Sequence, residues 1–107
     1  MGSYTVYMHE FPDDKVYIGI TSQPVEKRWK ENGRGYKRRP RGKGYTQPKM
    51  AHAINKFGWE NIKHHILFEG LEKEEAEDWE RYLICFFDSI ENGYNKARGG
   101  GTHGSAA

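Results

Sequence analysis

Glu80 stands where helical periodicity asks for an apolar residue. At about 100° per residue, Ala76, Trp79, Leu83, Ile84, Phe86 and Phe87 share one arc of a helix over Glu72 to Phe87, and Glu80 falls inside it. Glu74, Glu75 and Asp78 fall outside the arc or at its edge. A carboxylate in that position must be paired, hydrated in a cleft, or bound to a cation. Arg28 raises the complementary question, because it shares the Val25–Trp29 side of a short helical segment. A positioned guanidinium suits phosphate, since its fork donates two parallel hydrogen bonds; the plainer reading is an exposed arginine whose stem covers an aromatic ring.

Tyr7 and Tyr17 have matching parity on two neighbouring β-patterned segments, opposite to Val6/Met8 and Val16/Ile18/Ile20, with His9 and Thr21 on the tyrosine side. Two phenols in one cleft offer proton transfer and phosphate orientation; a cross-strand aromatic pair that only stabilises a hairpin is the alternative. Gly19 then leaves room for close approach of a ligand. His64 and His65 are adjacent in a strand pattern and point to opposite faces, so they cannot chelate one ion together.

The elements that must position these groups follow from pattern and punctuation. Tyr4 to Phe11 and Val16 to Thr21 read as a hairpin around the Pro12-Asp13-Asp14-Lys15 turn. Pro24 opens a helix through Lys30, Pro48 to Phe57 forms a second helix stopped by Gly58, Ile62 to Phe68 a third strand, and Glu72 to Phe87 the longest helix. The expected fold is α/β: a small, mixed central three-stranded sheet, the N-terminal hairpin plus a third strand, flanked by helices. One domain spans residues 4–98, and 99–107 is a Gly-rich tail.

Net charge is only +2, yet its distribution is uneven. From Asn32 to Trp59 there is no acid, while Arg34, Lys37, Arg38, Arg39, Arg41 and Lys43 crowd a Gly-rich stretch read as a loop. Such a stretch can track a polyanion, with Tyr36 and Tyr45 stacking on bases; a solvated loop is the alternative. Cys85 is the single cysteine, so no internal disulfide and no Cys-based zinc site can form. Neither a signal peptide nor a membrane-length apolar run is present, and an intracellular, cytoplasmic setting is expected.

Together these residues resemble the GIY-YIG nuclease superfamily. Thr5-Val6-Tyr7 stands in place of the first triplet, Tyr17-Ile18-Gly19 matches the second, and Glu26 to Lys30 is similar to the arginine helix of phage-type homing endonucleases. Ile54 to Gly58 resembles the second-helix ending of that branch, Glu80 to Ile84 the glutamate segment, and Asn92 to Asn95 the terminal asparagine motif. The resemblance implies an endonuclease that hydrolyses DNA phosphodiesters by in-line attack with one Mg2+ or Mn2+ ion. Glu80 would hold the ion, Arg28 would stabilise the phosphoryl centre, Tyr7 or Tyr17 would help activate water, and Asn95 would fix the geometry. DNA is the implied partner, with RNA left open, no membrane, and a monomer or weak dimer; a further recognition domain would lie in a longer parent chain. The sequence departs at Asn32, where the similar enzymes carry histidine. An amide is no base, so His9 and Tyr45 are the substitutes to weigh, and a non-catalytic nucleic-acid-binding module is the rival reading.

Overall fold

The computed structural model describes residues 2–41 and 44–95. Lys43 and the segment expected to be a tail lie outside the described residues.

Strand β1 (Tyr4–Glu10) and strand β2 (Val16–Thr21) form the expected hairpin. The turn between them closes with Phe11 N–H donating to Lys15 O and Asp14 N–H to Phe11 O, both at 2.9 Å. Asp14 takes φ 67°, a left-handed conformation that a short polar side chain tolerates. Strand β3 (Lys63–Leu71) pairs with the other side of β1, giving the order β2-β1-β3. Both pairings are antiparallel, so the sheet is not the mixed one expected from the sequence. The N-terminal hairpin is joined by a strand that returns beside β1, and no parallel crossover is needed.

Alternation divides the sheet into two faces. Val6, Val16 and Ile18 form one, packed on Ala76 and Ile84 of helix α3 (Lys73–Phe87). Tyr7 and Phe11 form the other, covered by Met50, Ala53 and Ile54 of helix α2 (Pro48–Phe57) with Ile62 and Tyr36. Pro48 presets the first turn of α2, and Gly58 ends it at φ 86°. A capping box opens α3: the Glu72 carboxylate accepts the Glu75 N–H, and Glu75 Oε1 accepts the Glu72 N–H at 2.9 Å.

Two expectations fail, one on each face of the sheet. The apolar arc of α3 is only partly buried: Ala76 and Ile84 are inside, while Trp79, Phe86 and Phe87 are exposed, Phe86 by 67%. The seam that packs on the sheet is the row of Ala76, Glu80 and Ile84 with half-buried Leu83 beside it, narrower than the aromatic content suggests, because two strands offer α3 only a narrow strip. Secondly, the stretch read as a loop from Asn32 begins inside a 3-10 segment, Glu31–Tyr36, which follows helix α1 (Val25–Trp29) directly. Tyr36 is fully buried in the core and cannot stack on a base.

Candidate active site

The site is assembled on the Tyr7 face at the β2 edge. Register pairs Tyr7 with Gly19 and His9 with Tyr17, so the two tyrosines are diagonal neighbours with ring centroids 6.4 Å apart. Gly19 serves the tyrosine rather than a ligand. A Cβ there would lie 2.5 Å from Tyr7 Cζ and Oη, so the phenol itself fills the space that the glycine leaves.

Arg28 is half-buried on α1, its guanidinium 4.5 Å from the centroid of the Tyr36 ring and Nη1 donating to Gly35 O at 3.4 Å. Burial works against its charge, but the oxygens of Tyr7, Tyr36 and Tyr17 outweigh that and raise its pKa. In return Arg28 favours ionisation of Tyr7 and Tyr17, while Glu80 opposes it. Burial dominates for both phenols, and each is held above the ordinary tyrosine range. Tyr7, Tyr17, Arg28 and Glu80 therefore share one electrostatic neighbourhood. Glu80, half-buried between Ala76 and Ile84, brings the carboxylate to it from α3.

Asn95 acts from outside this cluster. It is buried, and its amide brackets the backbone of Ile18: Oδ1 accepts the Ile18 N–H at 2.9 Å and Nδ2 donates to Ile18 O at 2.8 Å. Ser89 Oγ donates to the same Oδ1 at 2.7 Å, and Lys49 Nζ donates to Asn95 O at 3.1 Å. β2 is an edge strand, and this side chain caps the edge one residue from both Tyr17 and Gly19. Asn95→Ala strips partners from a buried backbone N–H and C=O, and is expected to cost about 2–4 kcal/mol. Chemical denaturation of both proteins measures that loss; a midpoint within error of the parent's would contradict the bracket.

The remaining candidates separate. Asn32 is exposed at φ 55°, ψ 29°, so this asparagine serves a left-handed junction ahead of Gly33 and points away from the buried groups. Tyr45 is half-buried between Arg39, 4.7 Å over its ring, and His52, 5.6 Å away edge-on. His9 is fully buried, its Nε2 2.8 Å from Tyr36 Oη and its Nδ1 2.9 Å from His64 Nδ1. His65 points to the opposite face and bonds Glu10 Oε1 at 3.0 Å, as the parity of the pair requires. Of the basic residues, Arg34 and Arg38 line an open cleft of about 690 Å3 together with Lys27, Arg28 and Lys30. Lys37 is half-buried, and Arg39 and Arg41 are exposed outside that lining.

Sequence reasoning missed Tyr36 and His64. Nothing in a Gly-rich basic stretch marks one tyrosine as core, whereas His64 had a usable signal: it shares parity with Ile62 and Ile66, and pairing of β3 with β1 sets it opposite His9.

The family model of the GIY-YIG catalytic domain matches residues 3–95. No curated protein and no solved structure matches the chain. Among the described residues no helix is long and apolar enough to cross a membrane. The tyrosine pair, the arginine helix, the seam glutamate and the bracketing asparagine all fall within the matched span, and the chain belongs to the GIY-YIG family of nuclease catalytic domains.

Proposed function

We propose that this domain is a divalent-metal-dependent endonuclease that hydrolyses DNA phosphodiesters by in-line attack with one Mg2+ or Mn2+ ion, and that it belongs with the homing or mobile-element branch. The reading is carried by the family match over residues 3–95 and by buried Tyr7 and half-buried Tyr17, whose ring centroids lie 6.4 Å apart and which are acted on at once by one arginine and one glutamate from different elements. A structural ion pair would need only the last two. The branch assignment rests on the Glu26 to Lys30 and Ile54 to Gly58 segments.

Glu80 is the residue to hold the cation. Among the described residues no three His, Cys, Asp or Glu side chains come together. That suits Mg2+, which is often held by one or two carboxylates and keeps several waters. The ion, when bound, offsets negative charge developing on the phosphoryl oxygens. Arg28 grips a non-bridging oxygen. Tyr7 takes the proton of the attacking water, and Tyr17 orients water or phosphate.

Supercoiled plasmid incubated with the purified protein should be nicked or linearised in Mg2+ and left intact in EDTA. DNA binding without cutting in either condition would favour the non-catalytic module instead.

The cleft beside Arg28 supplies the phosphate track: Lys27, Lys30, Arg34 and Arg38 line it with Arg28 and outnumber its carboxylates, Glu26 and Glu31. Neutralising Arg34 and Arg38 to glutamine should flatten the slope of log affinity against log salt by about two units. Arg41→Gln, outside the lining, should leave the slope unchanged. Equal slopes for all three proteins would remove the cleft from the binding path.

A further inference from the structure

Behind Tyr7 runs an unbroken line of polar groups that no part of the family motif accounts for. Tyr7 Oη lies 3.0 Å from Tyr36 Oη, which lies 2.8 Å from His9 Nε2. His9 Nδ1 lies 2.9 Å from His64 Nδ1, and His64 Nε2 lies 3.4 Å from the carbonyl of Trp59. Tyr7, Tyr36 and His9 are fully buried, and only His64 reaches the surface.

The Trp59 carbonyl at the far end gives the line its outward sense. A carbonyl only accepts, so His64 Nε2 carries the hydrogen and its Nδ1 the lone pair. His9 Nδ1–H must then donate to His64, leaving His9 Nε2 to accept. In the structure Tyr36 is the donor to Tyr7 across their 3.0 Å contact; rotation of the hydroxyls reverses it, so that Tyr36 gives its single O–H to His9 and Tyr7 gives its own to Tyr36. All four groups are neutral, and the donors point from the reacting centre towards His64.

We propose that Tyr36, His9 and His64 form a proton relay that lets Tyr7 act as a base without becoming a phenolate. This rests on the nuclease reading above. As the water O–H breaks and its oxygen bonds to phosphorus, the opposite P–O bond breaks and its electron pair leaves on the sugar oxygen, which takes a proton from solvent. The water proton passes to Tyr7 Oη. The Tyr7 proton moves to Tyr36 Oη, the Tyr36 proton to His9 Nε2, and the His9 Nδ1 proton to His64 Nδ1. His64 becomes an imidazolium and releases a proton to solvent from Nε2. One proton enters, one leaves, and no oxidant or cofactor is required.

The environment explains why a relay is needed. Burial holds the phenols of Tyr7 and Tyr36 in their neutral form. His9 faces Tyr7 on β1, Tyr17 from β2, Trp29 and Arg28 from α1, Tyr36, and His64 from β3, while His65 acts on it from the opposite face of the sheet. Burial first, then the charges of His64, Arg28 and His65, bring its pKa down to about 2, so the proton cannot rest there. His64 is lowered less, chiefly by burial, with the Trp59 carbonyl opposing and His65 adding, so it is neutral at pH 7 and open to water. Trp29 Nε1–H lies beside Tyr7 Oη and favours negative charge on it, although it falls short of hydrogen-bond geometry. It is the buried donor without a partner among the described residues.

Three measurements on the full chain test the relay. Tyr36→Phe keeps the ring beneath Arg28 and removes the central oxygen; single-turnover cleavage should slow on the order of a hundredfold with DNA affinity unchanged. His64→Ala should slow comparably, lose the acid limb of the pH–rate profile, and recover with added imidazole, which a packing defect would not do. The parent's rate should be flat between about pH 7 and 9, where a phenolate base would give a tenfold rise per unit. Two-dimensional 15N spectra of the histidine rings, which need no activity, should show His9 protonated on Nδ1 and His64 on Nε2. The reverse tautomers, or normal cleavage by Tyr36→Phe in an active parent, would overturn the relay and leave the nuclease reading standing. An inactive parent would overturn both.

Discussion

Glu80→Gln should lower cleavage in Mg2+ by at least about a thousandfold. The substitution preserves shape and volume on the α3 seam between Ala76 and Ile84, so packing against the sheet is retained. Only the charge changes, and its removal acts on the site in two opposed ways. The Glu80 carboxylate makes Tyr7 and Tyr17 harder to ionise, so glutamine eases proton loss from both phenols. Were tyrosine ionisation the limiting factor, the variant would cut faster. Loss of the cation costs several kcal/mol of transition-state stabilisation, about three orders of magnitude or more in rate, and this outweighs the gain. Titration calorimetry with Mg2+ should give a heat for the parent and none for Glu80→Gln. Thermal melts of the two metal-free proteins check that the lost rate is not a lost fold. Equal cleavage rates would remove Glu80 from the metal site.

How far the sequence reaches depends on what kind of order places each residue. The tyrosine face was legible because strands have a strict period of two, and Tyr7, His9, Tyr17 and Gly19 follow it in consecutive strands joined by a short turn. The helix boundaries of α2 were legible because Pro48 and Gly58 mark both ends. Glu80 stood out because its charge violates a period. What stayed hidden is whatever depends on two elements meeting without a shared period. The aromatic content of α3 suggested a wide buried arc, yet strand spacing, not helix composition, sets how much of the helix is covered. Gly19 is the instructive case. Its absent Cβ was readable as room for a ligand, but only register shows that Tyr7 lies opposite and fills the space.

The 3-10 segment after α1 was the least legible element and the one with most influence on the site. It carries left-handed Asn32 and Gly33, which turn the chain so that Tyr36 enters the core beneath Arg28. Gly35 passes so close to α1 that a Cβ would lie 2.0 Å from Arg28 O. No periodic signal can mark a segment of this kind, since its register is imposed by backbone proximity alone. The same segment explains the departure at Asn32: the left-handed junction is exposed, while His9 of β1 and His64 of β3 meet behind the tyrosines.

Arg28→Ala is expected to slow single-turnover cleavage about a thousandfold, equivalent to about 4 kcal/mol of lost transition-state stabilisation, with DNA affinity changed only severalfold. On the proposed reading the exposed cations along the cleft carry affinity, so one half-buried guanidinium adds little to it. Its value lies in where it sits. Surrounding oxygens keep it charged despite burial, and in that low-dielectric setting a forked donor meets the charge that develops on phosphate. Two routes to the rate loss must be separated, because Arg28 also favours ionisation of Tyr7 and Tyr17. Arg28→Lys does so. A lysine keeps the positive charge acting on the phenols but loses the planar fork and the stacking on Tyr36. If the arginine works through phosphate, lysine should recover less than tenfold of the lost rate; if it works through tyrosine acidity, lysine should recover most of it. Thermal melts guard against a trivial cause, since the guanidinium also packs on a buried ring. A variant that melts like the parent, binds DNA like the parent and cuts a thousandfold more slowly places the arginine on the transition state. A large loss of affinity with a normal rate at saturation would place it in ground-state binding instead.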